Sequence, residues 1–196
     1  MLTLERPLER PFRVATPADA PALATFITAA SEGMAPYVWS QAVGPGGDIH
    51  AYGQARMARM AGGGGWVVAE HDGEVVAGLH GYPLPENPDP IPDDFEPMFR
   101  PLQELEDAAP STWYIHVLAA RADARGQGWG TKLLDLAETI CRDSGLATLS
   151  IIVADNNTGA ARLYARHGFA EVDRRAMVKG GWQSDGTAWL LMTKPL

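Results

Sequence analysis

Positions 125–130 read RGQGWG, and the helix-like run TKLLDLAETICRDSG follows at once. Glycine is a costly residue beside a helix start unless something must approach the backbone. A strand, a glycine turn and a helix together make an anion site. The first-turn N–H groups have no partner within the helix, and its dipole favours negative charge there. Gly126, Gly128 and Gly130 therefore let a phosphate-bearing ligand sit against the backbone. Two phosphate loops fail on spacing. The dinucleotide pattern G-x-G-x-x-G requires a third glycine where Thr131 stands. The pattern G-x-x-x-x-G-K-[ST] fails because Gly130-Thr131-Lys132 has the wrong order and Arg125 occupies the place of the first glycine.

The elements that must position this loop can be read outward from it. TWYIHVLAA (112–120) is a near-continuous apolar run, as is ATLSIIVA (147–154). Both read as buried strands joined through one helix, which is the requirement of a parallel crossover. The connecting helix, from about 129 to 144, carries Leu133, Leu134, Ala137, Ile140 and Cys141 on one face, and Gly145 stops it. Asn157 to His167 reads as a helix ended by Gly168, and two strands follow, Phe169–Val178 and Thr187–Met192, joined by GGWQSDG. Upstream, a short strand at Phe12–Ala15 precedes a helix with Thr16 as N-cap and Pro17 at its first position. Residues 33–47 read as a loop because of Pro36, Pro45 and three glycines, and a helix over about 48–60 uses Ile49, Tyr52, Ala55 and Met60. WVVAEHDGEVVAGLHGY is a hairpin with its turn at Asp72-Gly73.

Between Pro83 and Ser111 the composition changes. Eight prolines and eight acidic residues face a single base, Arg100. The segment is either a solvated loop or a lid or wall over a binding site, since long loops in compact domains are often functional. It supplies almost all of the formal net charge of −8, which argues against a basic nucleic-acid footprint. The length of 196 residues fits one domain, 1–196, with an insertion at about 83–111. The lone cysteine, Cys141, suits a reducing compartment and reads as a small buried hydrophobe. MLTLERPLERPFRV is too charged and proline-broken for a signal peptide, and no apolar run approaches membrane-spanning length, so a cytoplasmic protein without a membrane partner is expected.

Arg125-Gly126-Gln127-Gly128-Trp129-Gly130 resembles the R/Q-x-x-G-x-G/A signature of the GCN5-related N-acetyltransferases (GNAT). NTGAARLYARHGF (157–169) resembles that family's N-x-x-A-x-x-L-Y-x-x-x-G-F segment. Leu118-Ala119-Ala120 stands where the family has L-x-V, with alanine in place of the usual valine, and Ala122 stands where proline is frequent. The resemblance is strong over about 112–170 and looser over the first 82 residues.

The resemblance implies an α/β (α+β) GNAT fold. Its central mixed, twisted sheet would have about six or seven strands, with helices on both faces and a splay between two parallel strands. It also implies acetyl-CoA as acyl donor, with no metal. Leu118, Ala119 and Ala120 would meet the pantetheine through their backbone, the loop from Arg125 to Thr131 would cradle the pyrophosphate, and Asn157 and Tyr164 would complete the site.

Acetyl transfer to an amine needs a neutral amine, an electrophilic thioester and a proton for the leaving thiolate. Tyr164 matches the family tyrosine near the thioester sulfur, and a phenol near pKa 10 suits that proton. The base has no fixed place in the family. His116 is the leading candidate if Tyr114, His116 and Leu118 share a face; Glu70, His80 and Glu32 are further ones. PYVW (36–39) is a candidate substrate wall or a core plug. The expected reaction is acetyl transfer to a primary amine of a small molecule. The alternatives are a protein N-terminus or lysine as acceptor, or a non-catalytic acyl-CoA-binding module. The segment GGWQSDGTAWLLM offers an interface for a homodimer.

Overall fold

The computed structural model describes residues 7–196. The reading of the first six residues as part of a charged, proline-broken terminus lies outside them. Among the described residues seven strands form one mixed sheet in the order β1-β2-β3-β4-β5-β7-β6. They are β1 (Phe12–Val14), β2 (Trp66–His71), β3 (Glu74–Pro83), β4 (Trp113–Ala120), β5 (Thr148–Ala154), β6 (Ala170–Ala176) and β7 (Ala188–Pro195). Among the described residues six α-helices accompany them: α1 (Ala20–Ala30), α2 (Met34–Val43), α3 (Ile49–Gly62), α4 (Arg100–Asp107), α5 (Trp129–Asp143) and α6 (Thr158–Arg166). Among the described residues no helix is long and apolar enough to cross a membrane. The chain forms two compact units: residues 1–81 with 117–133, and residues 82–116 with 134–196.

The first unit starts where sequence chemistry predicts. Pro17–Asp19 forms a 3-10 turn capped by Thr16, and α1 follows. The backbone N–H of Thr16 donates to Asp19 Oδ2 at 2.7 Å, and Arg13 grips both Asp19 oxygens at 2.8 and 2.9 Å. These bonds hold the Asp19 carboxyl down at about 2. Leu23, Phe26, Trp39, Met57, Trp66 and Val68 form this unit's apolar core. The β2–β3 hairpin turns at Asp72 and Gly73, both at positive φ.

Two expectations need correcting here. Residues 34–43 are α2, not loop. Pro36 sits in the first turn, where the N–H it lacks would have no helical partner, and Pro45 lies just past Gly44, the C-cap. The buried stripe of α3 is Gly53, Met57 and Ala61, while Ala55 is exposed. Gly53 lies under Trp39: a Cβ there would come within 2.4 Å of the indole.

In the second unit β5 is the spine. It pairs antiparallel with β7 over its whole length, from Thr148↔Pro195 to Ala154↔Trp189. Its parallel ladder with β4 is short, from Trp113↔Leu149 to Ile115↔Ile151, although both strands run on. At the paired end the buried hydroxyls of Thr112 and Ser150 lie 2.6 Å apart, and Thr112 Oγ1 donates to Ala109 O. Leu105, Trp113, Ile115, Leu134, Ile140 and Leu149 are buried side chains of this unit. Cys141 is buried too, and burial raises its thiol pKa, consistent with a packing residue. Trp182 and Trp189 stack at 5.8 Å, both buried, so these rings face each other rather than open surface.

Candidate active site

The phosphate-loop candidates lie in the first unit. Gly126 and Gly128 have φ of 76° and 84°, in the left-handed region. A Cβ at either would meet nothing within 4 Å, so the glycines answer a backbone demand and the loop face is open. Gln127 Nε2 donates to Asp123 O at 3.0 Å, closing the loop on its own approach. The N–H of Lys132 donates to Gly128 O, the first bond of the turn entering α5. The N–H groups of Trp129, Gly130 and Thr131 therefore occupy the helical turn that has no internal acceptors. Trp129 is buried against His71, with Lys132 Nζ 4.4 Å from its ring. Leu118, Ala119 and Ala120 form the last turn of the pleat in β4, all half-buried. Arg125 stands at the end of the 3-10 turn Ala122–Ala124, and its N–H donates to Ala122 O at 3.4 Å.

His116, Asn157 and Tyr164 belong to the second unit. Asn157 is the N-cap of α6 and accepts from the Ala160 N–H at 3.2 Å. Tyr164 is buried with its ring 5.9 Å from Phe169, and burial lifts its phenol well above the ordinary value. His116 is half-buried, with its ring 6.2 Å from Tyr114, in keeping with the shared face expected of alternate strand residues.

Sequence reasoning missed Tyr82, which lies beside His116, and Glu106, which bonds Tyr82. Tyr82, at the end of β3, lies 6.0 Å from His116 and 5.4 Å from Tyr114, ring to ring. Its hydroxyl donates to Glu106 Oε2 of α4 at 3.1 Å. Burial pushes the Glu106 carboxyl up to about 7, with Asp107 adding to the rise and the Tyr82 bond opposing it. Burial also raises the phenols of Tyr82 and Tyr114, and Glu106 adds to both shifts. The alternation Tyr114, His116 was a signal for half of this cluster. Nothing local marks Glu106 among the eight acids of its segment.

The remaining candidates go elsewhere. Glu70 is exposed and ion-paired with Arg13 at 2.8 Å. His80 packs on Trp66, 5.0 Å away. Glu32 lies between α1 and α2 at a positive φ of 51°. Trp39 is core, which removes the indole of PYVW as an accessible wall. His167 caps α6 and is not exposed: its Nε2 lies 3.1 Å from Glu138 and 3.3 Å from Asp135. These three groups have the spacing of metal ligands, but Lys194 Nζ already bonds Glu138 Oε1 and supplies a cation there.

Comparison with known proteins fits this picture. Residues 34–169 match the family described as Acetyltransferase (GNAT). Sixty residues are 38% identical to a mycothiol acetyltransferase from Jonesia denitrificans, a stretch covering 31% of this chain and 19% of that protein. The fold resembles a ribosomal-protein-alanine N-acetyltransferase from Brucella melitensis, with 26% identity and a TM-score of 0.57 over 94% of this chain and 99% of that one. It also resembles a polyamine N-acetyltransferase from Drosophila melanogaster that forms N-acetylagmatine, with 17% identity and a TM-score of 0.60 over 94% and 99% of the two chains. A family match spanning residues 34–169, on a seven-stranded mixed sheet with a short parallel β4–β5 ladder, means that this chain belongs to the GNAT family of acetyltransferases.

Proposed function

We propose that the protein transfers an acetyl group from acetyl-CoA to a primary amine of a small molecule. The carrying observation is that the acid-rich segment is folded and anchored. Leu84, Met98, Pro101, Leu105 and Ala109 are buried, and Glu104 of α4 pairs with Arg175 of β6 at 3.0 Å. The α4 carboxylates Glu104, Glu106 and Asp107 are thus held in place, and a fixed negative field favours a small cationic acceptor over a neutral one.

The residues present suit acetyl-CoA, which supplies the activated acyl group. Gly126 and Gly128 open the backbone of the loop, and the first turn of α5 presents N–H groups suited to a pyrophosphate. In this reading Leu118, Ala119 and Ala120 offer backbone groups to the pantetheine arm, while Arg125, Gln127, Trp129, Gly130 and Thr131 complete the cradle. Asn157 serves both as cap and as a contact for the ligand. Tyr164 faces the leaving sulfur. Its raised phenol stays protonated through neutral pH, so it donates a hydrogen bond to the developing thiolate rather than existing as phenolate. His116 borders the acceptor and is a candidate for the base that takes the amine proton.

A protein N-terminus is the second reading. The Brucella melitensis resemblance, at 26% identity across 94% of this chain, favours it. Release of CoA thiol from acetyl-CoA, measured across polyamines, amino acids, aminoglycosides, arylamines and short peptides, separates the two. Turnover with free amines supports the first reading. Turnover confined to peptides replaces it with the second, and acetyl-CoA binding without any turnover would leave a non-catalytic module.

A further inference from the structure

Glu106 is a carboxylate that the fold places beside a group of aromatic side chains from separate strands. Tyr82 comes from β3 and Tyr114 and His116 from β4, while Glu106 comes from α4. Tyr82 engages only one of its oxygens. Among the described residues, Oε1 has no side-chain or backbone hydrogen-bond donor. Glu106, Tyr82 and His116 are half-buried, and Tyr114 is buried. A carboxylate with one open oxygen, backed by aromatic rings, suits an ammonium group: the oxygen accepts its N–H, and the ring faces attract its charge.

The charges around Glu106 leave it available. On its own helix Glu104 is paired with Arg175, and Asp107 accepts from Gln103. The strands packed against α4 are β6 and β7. Arg175 of β6 is held by Glu104 and Asp173, Arg174 by Glu171, and Lys194 of β7 by Glu138. From β3 and β4 the facing titratable groups are Tyr82, Tyr114 and His116, and Tyr164 of α6 acts on Tyr114. Glu106 also lies in the last turn of α4, where the helix dipole opposes negative charge. These surroundings keep its proton affinity near neutrality, with the carboxyl at about 7. A base poised there both accepts and releases a proton under ordinary conditions.

We infer that Glu106 binds the ammonium group of the acceptor and takes its proton, and that Tyr82 positions that carboxylate. This rests on the proposed reading of the protein as an amine acetyltransferase. The ammonium gives one proton to Glu106 Oε1. The freed nitrogen lone pair forms the C–N bond with the acetyl carbonyl carbon as the C–S bond breaks. The nitrogen gives up its second proton on becoming an amide, and the sulfur leaves with its electron pair and takes up one proton as CoA thiol. The proton on Glu106 passes to water. One ammonium and one thioester thus become one amide, one thiol and one released proton.

The test is Glu106→Gln, assayed with spermidine, agmatine and an alanine-terminated hexapeptide. For the acceptor that turns over, kcat/KM at pH 7.5 falls about 100-fold or more, the order of a lost general base. Binding of acetyl-CoA, followed by calorimetry, stays within twofold of the parent. The parent rate rises with pH through a midpoint near 7 that Glu106→Gln lacks. Tyr82→Phe keeps the limb but moves its midpoint to higher pH, because the lost hydroxyl had stabilised the carboxylate. If Glu106→Gln does not fold, Glu106→Asp reports through a changed midpoint with acetyl-CoA binding retained. An unchanged kcat/KM and pH limb in Glu106→Gln, or an unmoved midpoint in Tyr82→Phe, overturns the inference alone. No turnover by the parent protein on any of the three acceptors removes the amine-acetylation reading, and this inference with it.

Discussion

The loop at 118–131 and the cluster around Glu106 are built on opposite principles. The loop is contiguous in sequence and works through backbone groups. Gly126 and Gly128 supply the φ values, and α5 supplies N–H groups at its start. The cluster is dispersed. Its members, Tyr82, Glu106, Tyr114 and His116, come from three elements and act through side chains. The loop's chemistry follows from its conformation. The cluster's chemistry follows from desolvation, which no residue carries by itself. Backbone sites therefore tolerate side-chain change and fail on conformational change, and side-chain sites do the reverse.

The largest effect should come from Tyr164→Phe. In the proposed role, loss of the hydroxyl lowers kcat about 100-fold while the dissociation constant for acetyl-CoA stays within twofold, as steady-state and equilibrium measurements would show. A near-parental kcat would remove Tyr164 from that role and make it a packing residue beside Phe169. On the other side of the comparison, Gly128→Val forces a β-branched residue to φ of 84°. Acetyl-CoA affinity should fall about tenfold, whereas Gln127→Ala in the same loop should change it less than threefold. Equal losses in both variants would mean that side chains, not backbone, hold the ligand there.

Next in size is a pH effect on stability. Glu106 has a folded pKa raised to about 7 above the ordinary 4.5. Its contribution to stability is full below 4.5 and is lost as pH rises through 7. The parent should lose roughly 1–3 kcal/mol relative to Glu106→Gln between pH 4.5 and pH 8, read from denaturant unfolding at each pH. A constant difference across that range would show that the fold does not desolvate this carboxyl. The smallest effect separates the two duties proposed for Asn157. Asn157→Ser keeps a capping oxygen, so Tm should move by less than about 1 °C. Asn157→Ala should cost about 1 kcal/mol, or about 2–4 °C. Loss of acetyl-CoA affinity in Asn157→Ser at unchanged Tm would isolate the ligand contact.

The comparison also explains which features were legible in the sequence. The order of strands and helices from 112 to 176, the Asp72-Gly73 turn and the Thr16-Pro17 start depend on neighbours in sequence, and the structure follows them. The reading of 33–47 as loop failed for a definable reason. Proline breaks a helix interior but suits its first turn, and only the observed boundary at Met34 tells which applies to Pro36. Ala55 failed because a helix with small residues all round does not declare its buried side, which the approach of Trp39 to Gly53 decides.

By itself the sequence determined the family, the glycine positions of the loop, the N-caps at Thr16 and Asn157 and the burial of Cys141. Each follows from the chemistry of residues a few positions apart. Tertiary structure alone decided that one acid of the eight between Pro83 and Ser111 meets Tyr82, and that Trp39 is core rather than wall. The shift of a carboxyl to about 7 is a property of its surroundings, and those surroundings arrive from β3 and β4, more than twenty residues upstream for Tyr82 and across the start of β4 for Tyr114. Local periodicity carries no information about such a meeting, because it is fixed only when strands pair and the helix packs.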